Sequence, residues 1–510
     1  MIQQKPSETV DHPVHRTVVT VLIFAAFSAL IISGCTREFR LDELEHLHVS
    51  RTIAHGYTPY VDFFEHHMPL HFSVLVPIYR VTGDSLPFFM ISRLVFLGLM
   101  LFNCLIIRSL ARRLMARAWA NLAVLMYLVS LVTLEKGIDI RPDNIMVSLL
   151  LATTWLLSAK GCEFSEKHLV SGGLLAGLAL FSSIKAIFPV AACVIAVLLT
   201  CRRPVKGVFH ILMGIAASAL TGILVIRHLG FLPAMIRYNF IENSRWTFRF
   251  SWLRGFGTLI HDDPLILMVW FFGASAALIH TIRCIRRDTS TPVRDRDPLT
   301  AMLLLSFVSM FAVIIFLLPN PYFHNYLYIS VTGALLGVRG LSRIEGSMFQ
   351  IHAARTAMIV AGILFIGSLN RMPVSRELRW IPQLETLFKV KELAGPEGRV
   401  LDDWTGRGTL CLPASFFPFM HQGIVKQFPR EIRQDVMHQL NTAPPEVITM
   451  RSVMVEHFLS IHDQVICGYE FLPDMDLWVY TGEPSQFADL RKKPPKRGNR
   501  VNELLLSRSN

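Results

Sequence analysis

The stretch REFRLDELEHLHVSRTIAHGYTPYVDFFEHHMPLHFSVLVPIYRV, residues 37–81, decides how the rest of the chain is interpreted. It follows the first very apolar segment, yet it carries two pairs of acids and six histidines. The pairs are Asp42 with Glu43 and Asp62 with Glu65, and the histidines are His46, His48, His55, His66, His67 and His71. If the flanking segments cross a membrane, these polar groups lie just outside the bilayer, hydrated and within reach of a lipid headgroup.

The composition is that of a polytopic membrane protein. The 510 residues are 52% hydrophobic and 17% charged, and the mean hydropathy is +0.43, which is too apolar for a soluble protein. The net charge of +12 comes from basic residues in short loops between apolar runs. That pattern is typical of topology determinants and of contact with anionic lipids. We therefore expect membrane lipids as partners and no nucleic acid.

Apolar runs along the chain predict about eleven transmembrane helices. They cover residues 17–34, 86–107, 118–134, 144–159, 169–184, 186–201, 208–226, 265–282, 301–318, 322–338 and 356–369. Residues 69–81 are too few to cross a bilayer and predict an interfacial or re-entrant helix. Residues 32–35 resemble a lipoprotein cleavage box, but the many later spans favour an uncleaved first helix.

The short arginine-rich loops all fall on one side of the predicted membrane, which the positive-inside rule assigns to the cytoplasm. The predicted domains are a transmembrane domain over residues 1–369 with its first outer loop at 35–85, an extracytoplasmic α/β domain over 370–490, and a basic tail over 491–510. Strand-like runs at 399–401, 447–450 and 477–480 alternate with helical stretches at 381–393 and 430–440. Spacing alone leaves open whether Cys411 and Cys467 pair.

Several ionisable groups map to the same outer side as the acidic pair Asp42 and Glu43. These groups are Asp139, Arg141, Asp143, Lys185 and the pair His324 and Tyr326. A carboxylate that faces several basic side chains suits the transfer of a group from a lipid phosphate. The carboxylate takes a proton from the attacking hydroxyl, and the cations neutralise the charge on the departing phosphate. Such a leaving group needs no general acid, so the carboxylate pair of glycoside hydrolases is not the template.

Four motifs resemble the GT-C superfamily of membrane glycosyltransferases, in particular the bacterial family 39 group. That group is similar to protein O-mannosyltransferases and to the transferase that adds aminoarabinose to lipid A. The motifs are LDE at 41–43, GYTPYVDFFEHHMPL at 56–70, RPD at 141–143, and the Lys185 turn followed later by PYFHNY at 321–326. Their order and spacing match over about residues 17–340.

The resemblance implies site residues as well as a fold. Asp42 would be the catalytic base, with Glu43 beside it, and His67 or its neighbour His66 would meet the phosphate. The chain departs from the family pattern at Met68, where a proline is usual, so the choice between the two histidines stays open. The remaining substrate- and phosphate-binding candidates are Asp139, Arg141, Asp143, Lys185, His324 and Tyr326.

Other interpretations of these residues stay open. Lys185 is also explained as a lysine that snorkels to the interface, and His324 and Tyr326 as headgroup-level anchors.

No metal site is expected from the spacing of the histidines at 46, 48 and 55, which fits no common zinc ligand set. A divalent ion on Asp42 and Asp143, as in some GT-C relatives, is the alternative to a reaction without a cofactor.

The sequence thus predicts an α-helical polytopic membrane enzyme of the bacterial inner membrane with its site facing the periplasm. It would move a sugar from a polyprenyl-phosphate donor to a hydroxyl of a lipid, glycan or protein, with inversion. A flippase or transporter is the main alternative function. Transporters usually show paired halves with interrupted helices, however, and the stretch at residues 37–81 has no second copy in the chain. A non-catalytic assembly scaffold is the third hypothesis.

Overall fold

The computed structural model describes residues 13–158, 165–245, 252–286, 297–318, 322–344, 359, 362–363, 365–367, 378–449 and 469–482. By packing, the chain divides into two compact units. The first comprises Met1–Arg37, Arg93–Gly222 and Phe250–Arg376, and the second comprises Glu38–Ser92, Ile223–Arg249 and Glu377–Asn510. The second unit therefore groups most of the predicted first outer loop with the C-terminal region, whereas the predicted domain boundaries followed the order of the chain.

The described chain is mainly helical. Its helices are α1 (Pro13–Thr36), α2 (Leu41–Ala54), α3 (Leu70–Thr82), α4 (Leu86–Leu114), α5 (Arg117–Val129), α6 (Leu131–Lys136), α7 (Pro142–Leu157), α8 (Glu166–Ser182), α9 (Ile187–Thr200), α10 (Pro204–His228), α11 (Leu232–Ile236), α12 (Trp252–Asp262), α13 (Pro264–Arg286), α14 (Pro298–Phe316), α15 (Leu327–Ser342), α16 (Trp380–Ala394), α17 (Gln422–Gln427) and α18 (Pro429–Thr442). Short 3-10 turns lie at Ile184–Ala186, Phe323–Tyr326 and Arg407–Leu410, and a π-helical turn lies at Arg237–Glu242.

Among the described residues, five helices are long and apolar enough to cross a membrane, judged by length and composition: α1, α4, α10, α13 and α14. Shorter apolar helices lie at Arg117–Val129, Pro142–Leu157 and Ile184–Thr200. The total of about eleven spans stays a prediction. Most of the predicted span at 356–369 lies outside the described residues, as do the basic tail and Cys467.

The predicted span at 118–134 is two helices, because the chain breaks at Ser130 between α5 and α6. The Ser130 hydroxyl caps α6 by accepting from the Thr133 amide. The Leu131 amide, which the break removes from the helical ladder, donates to Asp263 Oδ2 at 2.6 Å. The amides of Leu131 and Thr133 therefore have polar partners in a buried region, which favours a helix break there.

Small residues allow α13 and α15 to cross closely within the first unit. A Cβ atom built on Gly273 would lie 2.3 Å from the Cα and the amide nitrogen of Gly337. One built on Gly337 would lie 2.8 Å from the carbonyl oxygen of Val269. Backbone on both sides leaves no flexible group to move aside, so the crossing depends on glycine at these two positions.

The second unit contains a five-stranded sheet with strand order β2-β1-β3-β5-β4. The strands are β1 (Arg399–Asp402), β2 (Leu412–Pro413), β3 (Val447–Thr449), β4 (Tyr469–Leu472) and β5 (Leu477–Tyr480). β1 pairs in parallel with β2 and β3, whereas β5 pairs antiparallel with β3 and β4. With α16 and α18 in the same unit, this sheet confirms the predicted small α/β module, and the strands predicted at 399–401, 447–450 and 477–480 are β1, β3 and β5.

The acidic and histidine-rich stretch at residues 37–81 contains two helices of the second unit, α2 and α3. Ten consecutive residues of α2, from position 43 to position 52, are buried, and its Arg51 forms an ion pair with Asp84 at 2.7 Å. The predicted interfacial or re-entrant helix at 69–81 is α3, whose 13 residues include Pro77. Phe63 and Phe72 pack with Val49 and Val76 in one apolar cluster, which fixes the intervening loop against both helices.

We expect Gly273→Ala to destabilise the protein, because the new methyl group has no room at the crossing of α13 and α15. Overpacking of this kind costs about 1–3 kcal/mol, which exceeds the gain of about 1 kcal/mol that alanine brings to a helix interior. Thermal unfolding of the purified protein measures the change.

Gly98→Ala on α4 is the matched control, because a Cβ there meets nothing within 4 Å. Equal melting temperatures for the two variants would contradict the close crossing.

Candidate functional site

The first unit gathers charged side chains at the start of α7. Arg141 is the N-cap residue, Pro142 is the first helical residue and Asp143 lies in the first turn. Proline at that position and an acid in the first turn both favour a helix start, because the ring presets φ and the carboxylate meets the positive end of the helix dipole. Arg141 and Asp143 are both buried, so the helix start carries its charges into the interior of the unit.

Asp143 is surrounded by cationic and imidazole groups. Lys185 Nζ forms a very short ion pair with its Oδ1. Arg141 Nε lies 3.7 Å from Oδ2, and His324 Nε2 lies 4.0 Å from the same oxygen. The resemblance had named these four residues separately, and the structure brings them together.

Lys185 lies in the 3-10 turn between α8 and α9. Its Nζ also donates to Asn325 Oδ1 at 2.8 Å, so one ammonium bridges α7 and the turn at Phe323–Tyr326. The preceding Ser182 hydroxyl donates to the Pro142 carbonyl oxygen at 2.7 Å and fixes the turn against the start of α7. On the far side, Arg141 Nη2 lies 3.2 Å from His324 Nε2. Asn325 was missed in the sequence, where nothing distinguishes it from its neighbours.

Asp139 is fully buried and forms a second charged pair in the same unit. Arg37 Nη2 donates to its Oδ1 at 2.6 Å, and Lys136 Nζ lies 3.5 Å from its Oδ2. Asn144 Nδ2 donates to the carbonyl oxygens of Lys136 and Asp139, at 2.9 and 2.7 Å, and thereby holds the turn that precedes α7. Arg37 was also missed, because it lies 102 residues from its partner in the chain.

These two groups of charges form one set with more cations than carboxylates. The set comprises Arg37, Lys136, Arg141 and Lys185 against Asp139 and Asp143. Lys136 and Lys185 keep 13% and 16% of their side chains exposed, whereas both carboxylates are almost fully buried. Such a set favours an anion at its accessible ammonium groups.

Tyr326 has a different environment from the other candidates. It is buried in the apolar core of the first unit, beside Phe311 and Phe323, with ring centroids 6.3 and 6.5 Å away. His324 stacks on Tyr322 at 5.7 Å. The turn at Phe323–Tyr326 therefore points His324 and Asn325 at the charged set while Tyr326 secures the turn in the core.

Asp42 and Glu43 lie in the first turn of α2 in the second unit. Glu43 is fully buried, and its Oε2 accepts a hydrogen bond from the Arg40 amide at 3.0 Å. This contact caps the helix, as a glutamate at the third helical position commonly does. Asp42 is half-buried on the same turn. The two neighbouring acids therefore have different environments.

Glu65 organises the loop that carries His66 and His67, also in the second unit. Its Oε1 accepts from the amides of both histidines at 2.7 and 2.8 Å, and His67 Nδ1 lies 2.7 Å from the same oxygen. The Tyr60 hydroxyl donates to the His67 carbonyl oxygen at 2.5 Å. Tyr60 itself has a φ of 66°, an uncommon backbone conformation for a bulky residue.

Burial changes the proton affinity of several groups around this loop. It raises the pKa of Glu45 well above its ordinary value, and the neighbouring Glu65 carboxylate adds to the effect. It lowers the pKa of His46 and of His66 well below the ordinary value for histidine. Both imidazoles are therefore neutral at pH 7.

Comparison with known proteins finds a family model that matches part of the chain and solved structures that share its fold. The family model described as dolichyl-phosphate-mannose-protein mannosyltransferase matches residues 67–226. A sequence search of curated proteins finds no match. ArnT from Cupriavidus metallidurans in the apo state superposes with a TM-score of 0.62 at 13% identity, covering 92% of this chain and 98% of that one. The same protein bound to undecaprenyl phosphate gives 0.58 at 11% identity, covering 91% and 97%.

Two further solved structures share the fold. The oligosaccharyltransferase AglB from Archaeoglobus fulgidus, in complex with an inhibitory peptide and a dolichol-phosphate, gives a TM-score of 0.53 at 11% identity, covering 92% of this chain and 74% of that one. The arabinosyltransferase EmbB from Mycobacterium smegmatis gives 0.51 at 13% identity, covering 74% and 43%. At these identities the likeness establishes the fold.

The resemblance to GT-C glycosyltransferases similar to family 39 is confirmed by the family match and by this shared fold. The predicted fold class, a helical membrane domain with a small C-terminal sheet domain, is confirmed as well. The apolar helices and the fold together identify a multi-pass membrane protein.

We expect the buried pair of Asp143 and Lys185 to contribute far more to stability than an exposed pair. Asp143→Asn leaves the buried Arg141 and the largely buried Lys185 without their carboxylate, a change that costs about 3–5 kcal/mol. The pair Lys206 and Glu166 is the matched control, since its side chains are 51% and 59% exposed and exposed pairs contribute about 0–1 kcal/mol. Thermal unfolding of Asp143→Asn and Glu166→Gln gives the comparison, and equal losses would refute the expectation.

We also expect the protein to lose stability as the pH falls from 6.5 to 4, in part through His48. Burial lowers the pKa of this histidine from 6.5 to about 4, and the nearby Arg51 adds to the shift. Within that window the unfolded chain binds a proton that the folded chain excludes, so the free energy of unfolding decreases on acidification, by up to about 3 kcal/mol.

Melting temperatures measured at a series of pH values test this expectation. His48→Gln should flatten the slope between pH 6.5 and 4, because glutamine can still donate to the Thr409 carbonyl oxygen that lies 3.2 Å from His48 Nδ1. His438→Gln, at an exposed histidine of α18, is the matched control substitution. An unchanged slope in His48→Gln would exclude His48 as the source.

Proposed function

We propose that this chain is a glycosyltransferase of the bacterial inner membrane. It moves a sugar from a polyprenyl-phosphate carrier to a hydroxyl group of a lipid, glycan or protein on the extracytoplasmic side, with inversion at the anomeric carbon. The observation that carries the proposal is the cationic set around Lys185 in a chain with the GT-C fold.

The cationic set would receive the phosphate of the carrier. Lys185 and Arg141 can donate to phosphate oxygens, and Lys185 already holds its ammonium between Asp143 and Asn325. His324 and Asp139 would complete this environment through Arg141 and Arg37 respectively. The positive charges stabilise the phosphate dianion that forms when its bond to the sugar breaks. His66 and His67 are further candidate phosphate contacts in this proposal.

Asp42 would be the general base. It removes the proton from the acceptor hydroxyl while the hydroxyl oxygen bonds to the anomeric carbon, and the bond from that carbon to the phosphate oxygen breaks. The electron pair of the broken bond leaves with the polyprenyl phosphate. Glu43 is assigned to capping α2, because its Oε2 already accepts from the Arg40 amide.

Two relatives in fold support a lipid-linked donor. ArnT has been solved with undecaprenyl phosphate and AglB with a dolichol-phosphate and a peptide. The family model that matches residues 67–226 names a dolichyl-phosphate-mannose donor and a protein acceptor. Polyprenyl phosphate is the chemistry common to these, and it is what the proposal assigns to this chain.

Release of free polyprenyl phosphate tests the proposal. The purified protein in lipid is given a panel of undecaprenyl-phosphate sugars labelled in the lipid, together with a membrane lipid extract as the source of acceptor. We expect the wild type to release labelled lipid phosphate and Asp42→Asn to release it about 10²–10⁴-fold more slowly, the usual loss for a general base. A flippase or scaffold releases none.

Two variants serve as controls. Asp62→Asn should keep activity, because its side-chain oxygen can still accept from the Thr58 amide as Asp62 Oδ2 does at 2.6 Å. Glu43→Gln likewise preserves an acceptor for the Arg40 amide. Loss of release in Glu43→Gln with full activity in Asp42→Asn would move the base to Glu43, and activity in both would sink the assignment.

A further inference from the structure

Four side chains of the second unit converge, and two of them, His66 and His67, are also candidate phosphate contacts in the proposed function. Glu45 and Glu65 bring their carboxylates together with the imidazoles of His66 and His67, and one donor atom from each lies within 4.8 Å of all the others. Both glutamates are buried, at 6% and 1% exposure. Two carboxylates buried within 4.8 Å of each other repel unless a cation or a proton lies between them.

The cluster joins two separate pieces of the chain. Glu45 projects from α2, whereas Glu65, His66 and His67 follow one another in the loop before α3. The loop is held in shape by the Tyr60 hydroxyl on the His67 carbonyl oxygen and by Asn243 Nδ2, which lies 3.2 Å from the His66 carbonyl oxygen. The donor atoms are therefore positioned by the surrounding structure and do not depend on a ligand to fold the loop.

The spacing of these atoms suits a small metal ion. His67 Nδ1 and His66 Nδ1 lie 2.7 and 3.9 Å from Glu65 Oε1. Neighbouring ligands of a tetrahedral ion with bonds of about 2.0 Å are about 3.3 Å apart, a value between these two distances. These two distances therefore bracket the tetrahedral spacing, and all four donor atoms lie within 4.8 Å of one another.

A buried nitrogen beside the cluster is a second, independent observation. His71 Nδ1 lies 2.9 Å from the Met68 carbonyl oxygen and must donate to it, so His71 Nε2 accepts. His46 Nδ1 lies 3.3 Å from that Nε2 and is the donor. His46 Nε2 is then a bare lone pair, fully buried and without a hydrogen-bond partner among the described residues, on a ring 4.8 Å from that of His67.

We propose that Glu45, Glu65, His66 and His67 form a binding site for a divalent transition-metal ion of the zinc class. Two carboxylates and two imidazoles are a donor set that zinc accepts, and their negative charges balance the ion. Imidazole nitrogen disfavours magnesium and calcium, which prefer oxygen ligands alone. With four protein ligands the site is closed, so the ion links the loop to α2 and stabilises the second unit.

Zinc binding to the metal-free, full-length protein in detergent tests the proposal. Zn²⁺ alone is titrated in competition with a chromophoric chelator, and Co²⁺ replaces it for absorption spectroscopy. We expect one tightly bound ion per chain, a Co²⁺ spectrum typical of four-coordinate nitrogen and oxygen ligation, and a higher melting temperature with Zn²⁺. Glu45→Gln and Glu65→Gln should each weaken binding at least about tenfold.

The controls are Glu385→Gln, an exposed glutamate of α16, and His55→Gln, an exposed histidine at the end of α2. Both should bind Zn²⁺ as the wild type does. The proposal is overturned if the wild type takes up no Zn²⁺ at micromolar free metal, in which case the two carboxylates share a proton. It is also overturned if Glu45→Gln binds as tightly as the wild type. Should the glutamine variants not fold, the stoichiometry and Co²⁺ spectrum of the wild type decide. None of these readouts depends on transfer activity.

Discussion

The ion pair between Asp143 and Lys185 is the interaction on which the charged set of the first unit depends. Lys185 and Arg141 could not be kept at low exposure without a fixed negative charge, because desolvation of a cation costs more than one hydrogen bond returns. Asp143 supplies that charge from the first turn of α7, where the helix dipole also favours a carboxylate. The Asp143 carboxylate thus allows the charged set to hold cations before a ligand binds. The positive charge that remains unbalanced would attract an incoming phosphate.

Much of the fold could be predicted because its elements are encoded locally. Apolar runs located the long helices, and β-branched and aromatic runs located β1, β3 and β5. The break at Ser130 could not be seen, since the residues on both sides are equally apolar and the deciding contact is the side chain of Asp263, far along the chain. The same reason explains Arg37 and Asn325: each is defined by a distant partner, and one sequence carries no record of that pairing.

The adjacent acids Asp42 and Glu43 show what residue types alone can predict about a site. In the sequence, Asp42 and Glu43 are equivalent candidates, since both follow the first span. In the helix they differ, because a glutamate at the third helical position has the length to reach back to the Arg40 amide, and Glu43 does so. A carboxylate oxygen that accepts a backbone amide is held in the helix cap, which gives Glu43 a structural role. The proposed assignment of Asp42 as the base rests on the resemblance, and the cap gives Glu43 a separate role.

The loop before α3 that carries His66 and His67 has two proposed roles, metal binding and phosphate binding. The two roles compete for the same imidazole nitrogen atoms. An imidazole that ligates a metal through one nitrogen has only the other left for a phosphate oxygen. A zinc ion between Glu45 and Glu65 is balanced by their two negative charges, so it adds little long-range attraction for an anion. If the ion is present, His66 and His67 act as structural ligands and the phosphate is left to Lys185 and Arg141. Under the proposed function the first unit could hold the phosphate by itself, because its own set carries more cations than carboxylates. Metal binding and phosphate binding would then be separable properties, one held by each unit.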